Sequence, residues 1–460
     1  MRKLFGTDGI RGVTGTELTP EMALRLGRAI GAFFGLGSRV LVGRDVRAGG
    51  DMILSAVVSG LLAEGVKIYN AGLIPTPALQ YAVREHSYDG GVMVTASHNP
   101  PEYNGIKVID SSGVEVSRED EAIIEDYYFK GYGSRLEWRS LVDSPEVRVG
   151  LIEDYVNAIV MQVDRDEIAK HRFKVVVDCA NSVSTLTTPL LLRRLGAKVI
   201  SLNCHLDPEF PGREPEPTPQ TLSEASSLVL SSKADIGVGH DGDADRAIMI
   251  DDKGQVHWGD RSGTLLAVHA SYKWRELPRR VYTGVSSSIL IEEYLKQHNI
   301  TVVWTPVGSV TIARTIMNEG GAIAGFEENG GYIHVPHQYV RDGAMKLALT
   351  LDMMASLREK LSDIFAKLPV YYTLKTKIKA SREEALCAVE AVKEYYSNYR
   401  IITIDGVKVF GEDFWLLVRP SGTEPIIRIM GEAKSKEEIS RIIDHISKFI
   451  VTKCMGGSML

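Results

Sequence analysis

Short β-rich runs alternate with helical patterns through roughly the first 366 residues, and this alternation restricts the chain to α/β units with mainly parallel strand pairing. Thr19 and Pro20 read as the N-cap and first-turn proline of a helix carrying Met22, Leu26, Ile30 and Phe33 on one side. A strand at Val40–Val42, a helix from about Met52 to Ala63, a strand near Lys67–Tyr69, a helix after Pro75 and a strand at Val92–Val94 follow. The same order recurs. A helix is expected near Leu151–Ile168, then strand Val175–Val177, a helix holding Leu190–Leu192, strand Val199–Ile200, an irregular proline-rich stretch Asp207–Pro219, and strand Ile236–Val238. A third pass has strands near Val281–Tyr282, Val302–Trp304 and Ala322–Ala324. The last ~90 residues differ. Strand-like runs crowd together at 371–378, 401–404, 407–410, 414–418 and 426–430, with Asp405-Gly406 as a hairpin signal. The expectation is three similar α/β domains followed by a smaller α+β domain, divided as 1–147, 148–253, 254–366 and 367–460. A chain of 460 residues has the length for three or four domains.

Composition excludes several classes of function. The net charge of -6 argues against general nucleic-acid binding but leaves room for an anionic small substrate held by a local cationic cluster. No apolar run is long enough for a membrane span, and no signal peptide is read. Cys179, Cys204, Cys387 and Cys454 form no C-x-x-C, so no disulfide framework and no zinc site is expected, which fits a reducing cytoplasm.

Four polar loops each follow a predicted strand, where ligands of α/β sheets collect. The first is Thr95-Ala96-Ser97-His98-Asn99-Pro100 with Asn104-Gly105-Ile106-Lys107, read as a loop from Thr95 to Lys107. Ser97 is a nucleophile if something activates it, and otherwise part of a polar turn. The second, Asp241-Gly242-Asp243-Ala244-Asp245-Arg246, sets three carboxylates at alternate positions, a pattern for one hard divalent cation such as magnesium or calcium. An EF-hand is rejected, because Arg246 and Asp252 stand where that motif needs Gly and Glu. A solvated acidic turn, or an aspartyl-phosphate enzyme using Asp241, remains open on this loop alone. The third loop offers Glu327 and Asn329 beside Gly330-Gly331, suited to sugar hydroxyls or to a plain glycine turn. The fourth, Arg419-Pro420-Ser421-Gly422-Thr423-Glu424-Pro425, has the makings of a phosphate cradle or of a simple tight turn. Gly6-Thr7-Asp8-Gly9-Ile10-Arg11-Gly12 adds a further glycine-rich loop with an arginine.

Taken together, GTDGIRG, TASHNP with NGIK, DGDADR, EENGG and RPSGTEP resemble the α-D-phosphohexomutase superfamily, in family order and over essentially the whole chain. The resemblance implies four domains around a central cleft, the first three with mixed sheets. It also implies reversible transfer of a phosphoryl group between the 1- and 6-positions of a hexose. Ser97 would be carried as phosphoserine and would ligate Mg²⁺ together with Asp241, Asp243 and Asp245. Lys107, Arg11 and Arg246 would serve proton transfer and charge stabilisation. Glu327, Asn329 and Arg341 would meet the sugar, and Arg419, Ser421, Gly422 and Thr423 the non-reacting phosphate. A sugar bisphosphate would be the intermediate and activator, and a hexose phosphate the substrate. Phosphomannomutase/phosphoglucomutase is the leading reading, with phosphoglucosamine mutase as the alternative. A magnesium-dependent sugar phosphatase and a non-catalytic phosphosugar-binding protein stand further off.

The chain departs from the family pattern in places. Asn329 stands where serine is common, and Gly331 where some members have histidine, so the catalytic histidine is not carried over. His334 and His337 are the nearby histidines to place. Phe326 replaces a frequent glycine, and Ser309 weakens any inference about sugar selectivity from the 305–309 segment.

Overall fold

The computed structural model describes residues 4–6, 8–131, 133, 136–138, 145–421 and 425–456. Its first sheet contains β1 (Ile10–Val13), β2 (Arg39–Arg44), β3 (Lys67–Leu73), β4 (Gly90–Val94), β5 (Tyr103–Asp110) and β6 (Glu146–Val147) in the order β1-β5-β4-β2-β3-β6. The second contains β7 (Lys174–Asp178), β8 (Lys198–Leu202), β9 (Ile236–His240), β10 (Ala247–Asp251) and β11 (Val256–His257), ordered β11-β10-β9-β7-β8. The third contains β12 (Arg280–Gly284), β13 (Thr301–Thr305), β14 (Ala324–Phe326) and β15 (Tyr332–Ile333), ordered β13-β12-β14-β15.

One arrangement recurs in all three. A strand pairs in parallel on both sides (β2 with β3 and β4, β7 with β8 and β9, β12 with β13 and β14), and an antiparallel return strand follows the third. The return pairs are β4–β5, β9–β10 and β14–β15. TASHNP, DGDADR and EENGG occupy the turns of these three return pairs. The similarity of the three passes is therefore topological, and it places each polar loop at the same point of its sheet.

The fourth sheet is antiparallel throughout: β16 (Tyr372–Lys379), β17 (Arg400–Ile402), β18 (Val407–Phe410), β19 (Phe414–Pro420) and β20 (Ile426–Ala433), in the order β16-β20-β19-β18-β17. Asp405-Gly406 does sit in the β17–β18 hairpin turn, with Gly406 at φ +80°. This sheet packs on the helices Arg382–Tyr395 and Lys436–Cys454 around its own core of Val392, Leu416, Ile429, Ile443 and Ile450.

The first three sheets share one continuous apolar core. It runs from Leu41 and Tyr81 through Tyr155 and Val177 to Phe326, and the helix Gly343–Leu357, buried along nearly its whole length, lies within it. Three loops on one packed body cannot shift independently. The fourth sheet meets that body through a small cluster of Val285, Trp415, Leu417 and Met430.

Several expectations change. The first loop is shorter than Thr95–Lys107, because Asn104, Gly105, Ile106 and Lys107 lie on β5. Arg11 lies on β1, where the sequence suggested a loop, and pairs opposite Gly105. The helix expected over Leu151–Ile168 is two helices, Leu151–Val160 and Arg165–His171, divided where Asp164 caps the second by accepting the Glu167 N–H. Arg419 and Pro420 end β19 and are not in the loop. The cysteines are paired, Cys179 with Cys204 and Cys387 with Cys454. Sequence separations of 25 and 67 hid this, because β7 and β8 lie side by side and the helices Arg382–Tyr395 and Lys436–Cys454 pack together. The cysteine argument for a reducing compartment therefore falls. Thiol titration of the unfolded, unreduced protein should find no free thiol, and reduction should expose all four cysteines. Two or four reactive thiols before reduction would contradict the pairing.

Candidate active site

The site is built around Ser97, whose backbone is held in the left-handed region at φ +52°, a conformation a serine does not adopt without support. The support comes from a residue that the loop motifs do not contain. Arg47 is buried and spends its guanidinium on carbonyls of the Ser97 loop: it donates to Ser97 O, Asn99 O and Pro100 O at 2.7 Å each, and to Tyr103 O at 3.0 Å. Its Nε donates to Asp45 at 3.1 Å, in a pair with no exposure on either side chain. Asp45 in turn accepts from the Thr95 hydroxyl at 2.6 Å, and Thr95 accepts the Ser97 N–H at 2.9 Å. The ring of Phe210, from the second domain's proline-rich stretch, covers the Arg47 guanidinium at 5.1 Å.

The DGDADR turn closes against this loop. A Cβ on Gly242 would lie 2.4 Å from Ser97 O, so the approach requires glycine. Ser97 Oγ donates to Asp241 at 2.8 Å, and the Arg246 backbone N–H donates to the other Asp241 oxygen at 3.1 Å. Asp243 accepts from the Thr76 hydroxyl at 2.7 Å, and Asp245 from Arg341 at 2.5 Å. Asp241, Asp243 and Asp245 are buried, each offering one oxygen within 4.8 Å of the others. Asp243 Oδ1 and Asp245 Oδ1 have no hydrogen-bond partner among the described residues. Buried carboxylate oxygens left unpaired in this way fit a hard cation.

Lys107 lies at the centre of the charge cluster, 3.1 Å from Asp243, 3.4 Å from Asp245, 3.6 Å from Asp8 and 3.8 Å from Glu115. Burial works against its charge, but Asp243, Asp8, Asp245 and Glu115 outweigh it and hold the ammonium protonated far above the usual lysine range. Arg341 bridges Asp245, Asp8 at 3.1 Å and Glu327 at 3.1 Å. Arg11 pairs with Asp8 at 2.7 Å and donates to Asn99 at 2.5 Å, and Arg246 reaches Glu216 at 3.3 Å. The carboxyls Asp8, Glu115, Asp241, Asp243, Asp245 and Glu327 outnumber the cations Arg11, Lys107, Arg246 and Arg341. Burial, then Asp245 and Asp243, push Asp241 well above the ordinary carboxylate range, and burial raises Glu115. A divalent cation would balance that excess of negative charge.

Ser97, Lys107, Arg11, Arg246, the three aspartates, Glu327 and Arg341 thus come together. Among the described residues Asn329 makes no hydrogen bond to this group; its side chain accepts the Gly331 N–H and shapes its own turn. Arg419 and Ser421 line a separate cavity of about 540 Å³ with Ser381, Arg382 and Asp405, and Gly422 and Thr423 lie outside the described residues. His334 and His337 do not replace the missing histidine. His334 is buried edge-on against Trp274, and His337 stacks on Tyr81 at 5.2 Å and pairs with Asp342. The histidine beside Ser97 is His98, with Nδ1 3.5 Å from Ser97 Oγ. Sequence reasoning missed Asp8, Thr76 and Glu115, and it missed Arg47 and Asp45. Asp8 lay inside a quoted motif, and the others carried no local signal.

The four domain models of the phosphoglucomutase/phosphomannomutase family match in order: the α/β/α domains I, II and III over residues 2–134, 153–254 and 258–372, and the C-terminal domain over 376–449. The chain belongs to this family. It is a phosphohexomutase. A phosphoglucosamine/phosphogalactosamine mutase of Sulfurisphaera tokodaii is 52% identical, the alignment covering 98% of this chain and 100% of that one. A phosphoglucomutase/phosphomannomutase of Thermococcus kodakarensis is 40% identical over 96% of this chain and 97% of its own. The crystal structure of a phosphoglucomutase/phosphomannomutase family protein from Burkholderia thailandensis, 24% identical, shares the fold over 100% of both chains with a TM-score of 0.85.

Two measurements test the architecture of this phosphohexomutase. Arg47→Met leaves Asp45 buried without its partner, and should cost about 3–5 kcal/mol in denaturant unfolding; a loss below about 1 kcal/mol would show that the loop does not depend on Arg47. Burial, with His337 and Lys273 adding to it, lowers the His334 pKa to about 3, whereas an unfolded histidine titrates near ~6.5. Between those values the unfolded chain binds the extra proton. Stability contributed by neutral His334 is therefore complete above ~6.5 and falls as pH drops, by up to about 1.4 kcal/mol per unit. His334→Phe should flatten urea-derived stability between about pH 6.5 and pH 5, and an unchanged slope would contradict this.

Proposed function

We propose that this phosphohexomutase carries its phosphoryl group on Ser97 and moves it between the 1- and 6-positions of hexose phosphates, aminohexose phosphates among them. The observation that carries the reading is the direct hydrogen bond from Ser97 Oγ to Asp241, which joins the buried serine of the first loop to the buried aspartate triad. The aminohexose substrate is supported by the name of the 52% identical relative, and the neutral hexoses by that of the 40% identical one.

In this reading Asp241, Asp243 and Asp245, with the oxygen on Ser97, would hold Mg²⁺. When bound, that ion supplies charge to the phosphoryl oxygens during transfer. Arg47 keeps the Ser97 carbonyl and its neighbours fixed, so the nucleophile presents the same direction to both substrate orientations. A phosphoryl group on Ser97 passes to the free hydroxyl of the sugar monophosphate, the sugar bisphosphate turns over, and its other phosphate returns to Ser97. Lys107, held protonated by four carboxylates, acts as a fixed positive charge beside the transferring group, with Arg11 and Arg246 at its flanks. Glu327 is oriented by Arg341 toward the sugar hydroxyls, and Asn329 shapes the same turn. Arg419 and Ser421, with Gly422 and Thr423, anchor the phosphate that is not reacting. Each of the domains 1–147, 148–253, 254–366 and 367–460 contributes one loop. A phosphatase is disfavoured because an anion site at Arg419, in a cavity separate from Ser97, would have no use in simple hydrolysis. No helix among the described residues is long and apolar enough to cross a membrane.

Incubation with glucose 1,6-bisphosphate and Mg²⁺ should leave one phosphate on the Ser97 peptide by mass spectrometry. Ser97→Ala should lower turnover of glucose, mannose and glucosamine phosphates alike, on the order of 10³-fold or more. Wild-type turnover in that variant would reject the carrier role, and stoichiometric release of inorganic phosphate would replace the mutase by a phosphatase.

A further inference from the structure

Asp405 sits on the Arg419 guanidinium. Gly406 immediately precedes β18, and a Cβ on Gly406 would come within 2.6 Å of the Arg419 Cβ, so the hairpin turn is packed directly on this arginine. One carboxylate oxygen, Asp405 Oδ2, lies 3.3 Å from Arg419 Nη2. The same oxygen accepts the Val307 N–H at 3.1 Å. Val307 belongs to the third domain, in the turn between β13 and the helix Ser309–Asn318. A single oxygen therefore ties the anchor arginine of the fourth domain to the segment 305–309 of the third. Arg419 Nε is buried without a hydrogen-bond partner among the described residues. The guanidinium edge formed by Nε and Nη2 is the one that takes an oxyanion in a paired fashion, and Asp405 holds half of it. All of these groups except Val307 line the cavity of about 540 Å³, which has room for a phosphate and for a displaced carboxylate.

We propose that Asp405 is a positioning residue that occupies the phosphate edge of Arg419 until substrate arrives. A sugar phosphate displaces it, and the displacement frees the Val307 N–H. Capture of the non-reacting phosphate is thereby coupled to release of the 305–309 segment. This rests on the reading of Arg419 as the phosphate anchor. Two anions cannot share Nη2 without repulsion, so Asp405 lowers the intrinsic affinity for phosphate and in return keeps Arg419 extended and the third and fourth domains in register.

The test uses calorimetric titration of glucose 6-phosphate and of inorganic phosphate into the full-length chain bearing Ser97→Ala, which prevents turnover. Adding Asp405→Asn keeps an acceptor for the Val307 N–H and removes the competing charge. Binding of both probes should tighten by about two- to fivefold, the range of a partly exposed ion pair, and the KM of Asp405→Asn enzyme with intact Ser97 should fall by the same factor without a rise in kcat. A purely structural aspartate predicts weaker or unchanged binding, and that result overturns the proposal. A second readout needs no substitution at Asp405: in the wild-type chain, saturating glucose 6-phosphate should speed hydrogen exchange at the Val307 amide, and unchanged or slower exchange overturns the coupling. Arg419→Ala separates the two readings. If it binds phosphate as well as its parent, the anchor itself fails; if it binds weakly while Asp405→Asn does not tighten, only the role of Asp405 fails.

Discussion

The structure depends on the cost of burying carboxylates. Asp241, Asp243 and Asp245 stand together with Asp8, Glu115 and Glu327, largely out of water, and such a group persists only if cations are brought to it from several directions. Lys107 comes from the first sheet, Arg246 from the second domain's own turn, and Arg341 from the segment preceding the buried helix Gly343–Leu357. The second domain sets three of these acids against one arginine of its own, and Lys107 from the first domain and Arg341 from the third reach Asp243 and Asp245. The three sheets must therefore be docked for the cluster to form, and the shared apolar core supplies that docking. This links stability to chemistry: the charges that require the domains to assemble are the charges that a phosphoryl group and a divalent cation would meet.

A threefold repeated topology explains why the loops converge. In each of the first three sheets the functional loop is the turn from the third parallel strand into an antiparallel return strand. The three passes are not visibly repeated in sequence, yet each delivers its polar turn at the same structural position, so packing them side by side brings Ser97, the aspartates and Glu327 to one place. The fourth domain stands apart in both respects. Its sheet is antiparallel and its core is its own, joined to the third domain by a small patch around Trp415, by the ammonium of Lys408, which donates to Ser287 O at 2.7 Å and lies 3.8 Å from the Trp304 ring centre, and by polar contacts of Asp405 with Val307, Lys375 with Glu328 and Arg400 with Glu292. Arg419 is thus carried on a body with its own core, which meets the Glu327–Gly331 turn through Lys375 and Glu328. Such an arrangement suits an anchor that must accept a substrate in two orientations.

Much of the site was legible in short motifs, because the residues of one loop lie within a few positions of one another. Ser97, the alternate aspartates, Glu327 and Arg341 all fell in such segments, and the structure gathers them. What the motifs could not show is how these side chains are held. Arg47 lies 50 residues from Ser97 in the chain, yet it fixes the loop's carbonyls. Thr76 reaches Asp243 across 167 residues. The cysteine pairs were invisible for the same reason, and the helix break at Asp164 was missed because an aspartate cap inside an apolar pattern is a weak local signal.

The sequence by itself determined the alternation of strands and helices, the change to an antiparallel final domain, and the identity of the loops, since these follow from local periodicity and from residue types that need their neighbours in the chain. Only the tertiary structure decided which charges compensate which, that Lys107 stays protonated, that His334 and His337 face inward, and that Arg419 is held by Asp405. Those properties are set by Coulomb interaction and desolvation. Both depend on distance through space and on exclusion of water, and neither quantity exists until the domains have packed.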